Sequence, residues 1–332
     1  MSDTVFRALV VSNTDENTYS REVTERKISD LPEGEVLVRV RYSSLNFKDG
    51  LSCIGNPGVT RNYPHTPGID ASGEVAESSD SRFKEGDSVI VTSYDLGMGT
   101  SGGFGQYIRV PADWVVPLPD GLTFKEAMIY GTAGYTAALS VDALQKHGVA
   151  PEDGEIVVTG STGGVGSVSV ALLSHLGYTV AASTGKKEES DFLRGLGASE
   201  IVSREEANPE SNKPLLRERW AGAVDTVGGT TLASLLKATK RGGAVAATGL
   251  VASAELSTTV FPFILRGVSL LGIDSGFTPT KLRREIWSKL ADVWKFPQLQ
   301  KLTIDCTLEG LDPEIDKILA GRQRGRVVVD LA

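Results

Sequence analysis

Ile156-Val-Val-Thr-Gly-Ser-Thr-Gly163-Gly164-Val-Gly166-Ser-Val-Ser-Val-Ala-Leu-Leu173 is the stretch on which the fold turns. An apolar strand runs into a cluster of glycines and then into a helix that carries Val165, Val168, Leu172 and Leu176 on one face. One glycine allows a tight turn, one removes a Cβ where a pyrophosphate must approach the backbone, and one lets helix and strand pack closely. The free N–H groups and the positive end of the helix then face the phosphate charge. Measured strictly against G-x-G-x-x-G, Ser161 stands at the first glycine, whereas Gly163 and Gly166 match. The pattern alone is a weak signal; a strand before it and a helix after it make it a strong one. Thr162, Gly163, Gly164, Val165, Gly166 and Ser167 are therefore candidate dinucleotide-binding residues.

Downstream, short apolar runs alternate with helical segments: strands at 179–182, 200–202, 221–225, 244–248 and 268–273, helices near 187–196 and 230–239. Such alternation implies a doubly wound parallel sheet with helices on both faces, the Rossmann arrangement. The acid that would accept from an adenosine ribose 2′-hydroxyl is expected at the end of the second strand. That position reads Ser183-Thr184-Gly185-Lys186-Lys187, with no carboxylate, and Arg204 follows the third strand. Hydroxyls and cations suit a 2′-phosphate that an acid would repel, so the cofactor expected is NADPH rather than NADH, on Ser183, Thr184, Gly185, Lys186 and Arg204.

Upstream, the chain reads as β-rich. In 35–42, Val36, Val38, Val40 and Tyr42 alternate with Leu37, Arg39 and Arg41, a strand with one buried face. Turn formers punctuate the region, and an irregular antiparallel barrel or sandwich fits. The pattern changes near residue 120, where Thr123-Phe-Lys-Glu126 has capping-box spacing and opens a helix through about 146. Residues 281–295 read as helix, and Gly325-Arg-Val-Val-Val-Asp330 as a strand returning to the first domain. Net charge is 34 − 42 = −8, which argues against salt-dependent nucleic-acid binding. Two cysteines, three histidines and no long apolar run leave no disulfide framework, few metal ligands and no membrane span, so a cytoplasmic protein is expected. No signal-peptide order is read at the start.

Together, Ser43-Ser-Leu-Asn-Phe-Lys-Asp-Gly50, Tyr63-Pro-His-Thr-Pro-Gly-Ile-Asp70, Gly131-Thr-Ala-Gly134, Thr159 to Gly166, Pro262-Phe-Ile-Leu-Arg266 and Gly272-Ile-Asp-Ser275 carry a resemblance over essentially the whole chain. It resembles the medium-chain dehydrogenase/reductase superfamily, the zinc-free quinone oxidoreductase-like branch, and within that the YhdH/YhfP-type acryloyl-CoA reductases. The resemblance implies a GroES-like, mostly β catalytic domain of residues 1–123 plus 275–332. Into it is inserted an NADPH-binding Rossmann domain of residues 124–274. It also implies homodimers joined through the cofactor domains, and Gly249, Leu250, Ile264, Ser275 and the segment around Arg322 lining the nicotinamide half of the site. Zinc-using relatives carry Cys where Asn46 stands and His-Glu where Ile69-Asp70 stands, so no metal is expected here.

Without a metal, the natural substrate is already activated: an enone, a CoA thioester such as acryloyl-CoA, or a quinone. Hydride goes to the β-carbon, charge develops on the carbonyl oxygen, and a proton then reaches the α-carbon. Asn46 is the candidate contact to substrate or ribose, with a loop-stabilising amide as the alternative. Phe47 replaces the tyrosine of many relatives, so it can position but not protonate. Arg61 is a further candidate on the substrate side. Lys48 and Asp49 are read as a local ion pair, Tyr94 and Tyr130 as wall or core, His65 as structural, and Cys53 as an inert thiol. Two alternatives stand beside the alkene reductase: a quinone oxidoreductase, and an NADPH-binding sensor or RNA-associated protein without turnover.

Overall fold

The computed structural model describes residues 4–15 and 18–332. In chain order the elements are β1 (Val5–Asp15), β2 (Thr18–Lys27), β3 (Val36–Ser44), α1 (Phe47–Cys53), β4 (Asp70–Ser78), β5 (Ser88–Thr92), β6 (Tyr107–Val110), β7 (Val115–Pro117) and α2 (Phe124–His147). Then come β8 (Ile156–Val158), α3 (Gly164–His175), β9 (Val180–Ser183), α4 (Ser190–Gly195), β10 (Glu200–Val202), α5 (Arg204–Ala207), β11 (Trp220–Asp225), α6 (Gly229–Ala238), β12 (Thr239–Ala247), α7 (Phe261–Arg266) and β13 (Ser269–Gly272). The chain ends with α8 (Thr280–Ala291), β14 (Thr303–Thr307), α9 (Leu311–Leu319) and β15 (Arg326–Asp330). It divides into two units: Met1–Thr132, Gly276–Asp292 and Leu299–Ala332 form one; Ala133–Ser275 and Val293–Gln298 form the other.

In the first unit, β14, β15, β3, β4, β5 and β7 follow one another across a sheet, and β6 also pairs with β3. All these pairings are antiparallel except β14 with β15. The C-terminal strand does return to the first domain, with Val328 opposite Ser44. Val36, Val38 and Val40 of β3 enter the main core beside Val75, Val89, Val91, Ile108, Val327 and Val329. The opposite face of β3 is not wholly polar, as its alternation suggested: Leu37 is buried too, in a small cluster with Phe6 and Ala8 of β1. The capping box forms as read, Thr123 N–H donating to Glu126 Oε2 at 2.9 Å and Glu126 N–H to Thr123 Oγ1 at 3.2 Å. The helix it opens is broken at Gly131, whose φ of 51° and ψ of −158° are not helical.

The second unit is a six-stranded parallel sheet in the order β10-β9-β8-β11-β12-β13. Counted within the unit this is 3-2-1-4-5-6, the doubly wound order, with its switch point between β8 and β11. Helix α3 is buried all the way round from Gly166 to Leu173, not along one stripe. Its serines make this tolerable by bonding internally: Ser169 Oγ donates to Val165 O at 2.9 Å. The helix read at 187–196 resolves into a 3₁₀ turn over Lys187–Glu189 and then α4, and the one read at 281–295 ends at Ala291. Among the described residues no helix is long and apolar enough to cross a membrane.

Candidate active site

In the second unit the turn after β8 shows what each glycine does. Gly160, not the strict motif's first position, makes the tight turn, with φ +57°. Ser161 folds inward, its hydroxyl donating to Val158 O at 2.6 Å. A Cβ on Gly166 would strike the Gly160 carbonyl and come within 2.7 Å of Ser161 Cα, so this glycine lets the helix sit on the turn. A Cβ on Gly163 would meet only the Gly160 oxygen, at 3.4 Å. Gly163 is therefore not needed for internal packing, and its bare backbone lies open at the N-cap of α3. That is the geometry a pyrophosphate approaching the N–H groups of a helix start requires.

The expected 2′-phosphate residues also come together. Ser183 ends β9, and both it and Thr184 are buried, with Thr184 N–H donating to Val202 O at 3.1 Å. The Arg204 guanidinium lies on Gly185: an added Cβ there would be 2.5 Å from Arg204 Cζ. Burial holds the Lys186 ammonium below the usual lysine range, and the neighbouring Arg204 charge pushes the same way against Glu188 and Glu189. The Arg204 guanidinium on Gly185, with no acid at the strand end, is the arrangement a bound phosphate group would require there. Gly249 packs against Thr226, whereas Leu250 and Ile264 are exposed at 66% and 68% and Ser275 is half-buried.

Sequence reading missed Asp225, the fully buried carboxylate at the end of β11, which accepts from Thr159 Oγ1 at 2.6 Å and Gly228 N–H at 2.8 Å. Its signal was a charge closing the apolar run Ala221-Gly-Ala-Val.

In the first unit Asn46 is the N-cap of α1 and is buried. Its Nδ2 donates to Asp70 Oδ2 at 2.7 Å and Ser44 O at 3.2 Å, and its Oδ1 accepts from Arg326 Nη1 at 3.1 Å. The amide expected to reach substrate or ribose is thus turned into the protein, and Asn46 acts by holding the loop that presents Phe47, which is 45% exposed. The Lys48–Asp49 ion pair is not formed. Lys48 points to solvent, and the buried Asp49 carboxylate takes the N–H of Asn46 at 2.8 Å and of Ile69 at 2.9 Å. Asp70 is more heavily bound still: it accepts from Thr132 N–H at 2.9 Å, Thr132 Oγ1 at 2.6 Å and Ser44 Oγ at 2.6 Å, with Arg326 Nη2 at 3.7 Å. Gly131 covers this cluster, and a Cβ there would collide with Asp70 Oδ2 and lie 2.7 Å from Arg326 Nη2.

Burial, and then the like charge of Asp70, push the Asp49 carboxyl up to about 7. The folded protein therefore holds a proton that the unfolded chain, at an ordinary 3.8, has released. That contribution to stability is full below the unfolded value and is lost as pH rises towards 7. Asp49→Asn is expected to flatten this part of the stability–pH curve, measured by urea unfolding at pH 4–8; an unchanged slope would reject the assignment.

Arg61 is exposed, with its Nε donating to Pro57 O at 3.2 Å, and Arg322 is exposed as well. Tyr63 Oη is taken by Ser52 O at 2.6 Å. His65 pairs through its backbone with Val11 and is buried, as a structural residue would be. Cys53 is buried, and desolvation drives its thiol well above the usual range, so it is inert as read. Tyr94 stacks on Trp114 at 5.4 Å and under the Arg283 guanidinium at 4.5 Å, a wall residue at φ 52°.

Residues 32–120 match the alcohol dehydrogenase GroES-like domain family and residues 164–293 the zinc-binding dehydrogenase family. The acrylyl-CoA reductase AcuI of Ruegeria pomeroyi is 49% identical over 98% of this chain and 99% of its own length. The Bacillus subtilis protein YhfP, solved with NAD bound, superposes with a TM-score of 0.96 at 47% identity over 99% of this chain and all of its own. The YhdH oxidoreductase of Salmonella enterica, solved with NADP, gives 0.95 at 43% identity, covering 98% of this chain and 100% of that one. The chain belongs to the medium-chain dehydrogenase/reductase superfamily, in the quinone oxidoreductase-like branch that holds the YhdH/YhfP-type proteins.

Proposed function

We propose that this protein is an NADPH-dependent, zinc-free reductase of activated C=C bonds, with an acryloyl-CoA-like thioester as substrate. The observation that carries the reading is the Arg204 guanidinium laid against Gly185, beside Lys186 in the chain, where an acid would select NADH, in a chain of full-length kinship to an acrylyl-CoA reductase. Residues 124–274 are assigned to the nucleotide, and residues 1–123 with 275–332 to the substrate.

The open backbone at Gly163 and the free start of α3 fit a pyrophosphate, while Ser183, Thr184, Lys186 and Arg204 fit a 2′-phosphate. NADPH, when bound there, supplies a hydride for the β-carbon of the conjugated thioester. The chain's own residues bind, orient and exclude water: the Gly163–Ser167 backbone takes the diphosphate, and Gly249, Leu250, Ile264, Ser275 and Arg322 are assigned to the nicotinamide end. Phe47 offers an apolar wall, held in place by the buried Asn46 amide, and Arg61 is assigned to the substrate's anionic portion. Phe47 has no hydroxyl, so the α-carbon proton comes from another group. The zinc-free assignment rests on residue chemistry. Asn46 and Ile69 stand where relatives place a thiolate and an imidazole, and the Asn46 amide is bonded to Asp70 and Arg326.

Anaerobic assays of NADPH absorbance with acryloyl-CoA and with a simple quinone test the reading. Turnover of the thioester is expected. Preference for the quinone would favour the quinone oxidoreductase alternative, and no oxidation by either, or by a panel of enones, would remove the enzyme reading.

A homodimer through the cofactor unit is proposed on the edge strand β13. Leu270 is exposed on it, close in the chain to the exposed Val260, Phe261 and Leu265. An uncovered sheet edge with an apolar flank is a pairing surface. Light scattering is expected to give twice the chain mass, and Leu270→Lys with Leu265→Glu to give the monomer. A cytoplasmic location is proposed on two unpaired cysteines.

A further inference from the structure

Asp225 lies at the switch point of the parallel sheet, and three loops converge on it. Its Oδ1 accepts from Thr159 Oγ1 at 2.6 Å in the turn after β8, and its Oδ2 from Gly228 N–H at 2.8 Å in the turn after β11. Its backbone carbonyl accepts the N–H of Thr248 at 2.8 Å and its hydroxyl at 3.2 Å, in the loop after β12. Thr226 locks the first two loops a second time: its N–H donates to Thr159 Oγ1 at 3.1 Å and its hydroxyl to Thr159 O at 3.0 Å. The fit around Thr226 is close, since a Cβ on Gly160 would strike its hydroxyl and one on Gly249 would strike its carbonyl. Thr159 and Asp225 are essentially without solvent exposure.

A buried carboxylate is costly, and a sheet of this kind can be closed by apolar residues at that level. Here the carboxylate is spent on linking loops that otherwise diverge at the strand ends, where open α/β sheets bind their ligands. The glycine turn and Gly249-Leu250 follow directly from the residues it links.

We propose that Asp225, with Thr159 and Thr226, is the positioning unit of the nucleotide crevice: it sets the spacing between the glycine turn and the Gly249-Leu250 loop, and so the seat of the dinucleotide's diphosphate. This rests on the nucleotide reading above and adds residues that touch no ligand themselves. Because the diphosphate is common to both dinucleotides, loss of the unit affects NADPH and NADH alike, unlike loss of Arg204.

Thr159→Val removes the hydroxyl at nearly constant volume, Thr159→Ser keeps it, and Asp225→Asn halves the carboxylate's accepting capacity. Binding is read by the fluorescence of added NADPH and NADH, and steady-state rates are read alongside. Thr159→Val is expected to weaken both nucleotides about 10-fold, raising KM for NADPH with kcat held within about threefold, while Thr159→Ser restores binding. If Asp225→Asn does not fold, the threonine pair carries the test alone. Unchanged affinity in Thr159→Val, a loss confined to NADPH, a fall in kcat at constant KM, or failure of Thr159→Ser to restore binding would each overturn the proposal. A wild-type chain that binds neither nucleotide would instead bring down the reading on which it rests.

Discussion

Arg204→Ala is expected to weaken NADPH binding about 10–100-fold while leaving NADH within about twofold. The guanidinium lies against Gly185, and a charge-assisted contact to a phosphate is worth about 1.5–3 kcal/mol, each 1.4 kcal/mol being tenfold in affinity. Lys186 gives a smaller effect, because an ammonium binds phosphate through a point rather than a fork. Fluorescence titration with both nucleotides separates the outcomes. Equal loss of NADPH and NADH would place Arg204 in the frame of the site, and no loss would remove it from the 2′-phosphate. Reversal of preference by Gly185→Asp with Arg204→Ala is the complementary expectation, since the new acid would repel the phosphate and accept from a ribose hydroxyl.

Removing the Arg326 guanidinium is expected to destabilise the first unit strongly. Its Nε donates to Ile129 O at 3.0 Å, Nη1 to Leu45 O at 3.3 Å and to Asn46 Oδ1, and Nη2 to Ser44 Oγ at 2.8 Å. It is also the cation of a cluster holding two buried carboxylates, Asp49 and Asp70, and burial holds its own pKa below the usual arginine range. Breaking a buried pair by removing one partner costs about 3–5 kcal/mol, which lowers the melting temperature of a unit this size by on the order of 10 °C. Arg326→Met is the variant and calorimetry the measurement. Arg326→Lys recovers only part of the loss, because a point charge cannot meet four acceptors in a plane. If the change is neutral, desolvation of the guanidinium has cancelled its bonds. Adding Asp70→Asn tests the coupling: the double variant should lose less than the sum of the two singles.

Elements with a strong local period were legible in the chain. The Val36–Val40 alternation, the Thr123–Glu126 capping box and the strand–glycine–helix run at 156–173 each encode their conformation within a few residues. The same holds for the missing acid after β9, an absence visible at one position. Errors came where a residue's role depends on partners far away in sequence. Asp49 was assigned to its neighbour Lys48, but its second bond is to Ile69 N–H, twenty residues on. For Asn46 a ligand contact and a loop-stabilising amide stood side by side, and its inward bonds, one of them to Arg326 from 280 residues away, fit the second. One signal for that network was present: an arginine next to three valines in the strand Arg326-Val-Val-Val, which is buried for a reason.

The sequence by itself determined the doubly wound sheet, the glycine turn and the acid-free end of β9, because periodicity, glycine placement and local charge are set over one or two turns of chain. The tertiary structure alone decided which polar side chains are used up inside the protein. Hydrogen-bonding capacity is finite, and only when Asp70, Arg326, Thr159 and Asp225 are brought together does it become visible which atoms are already committed.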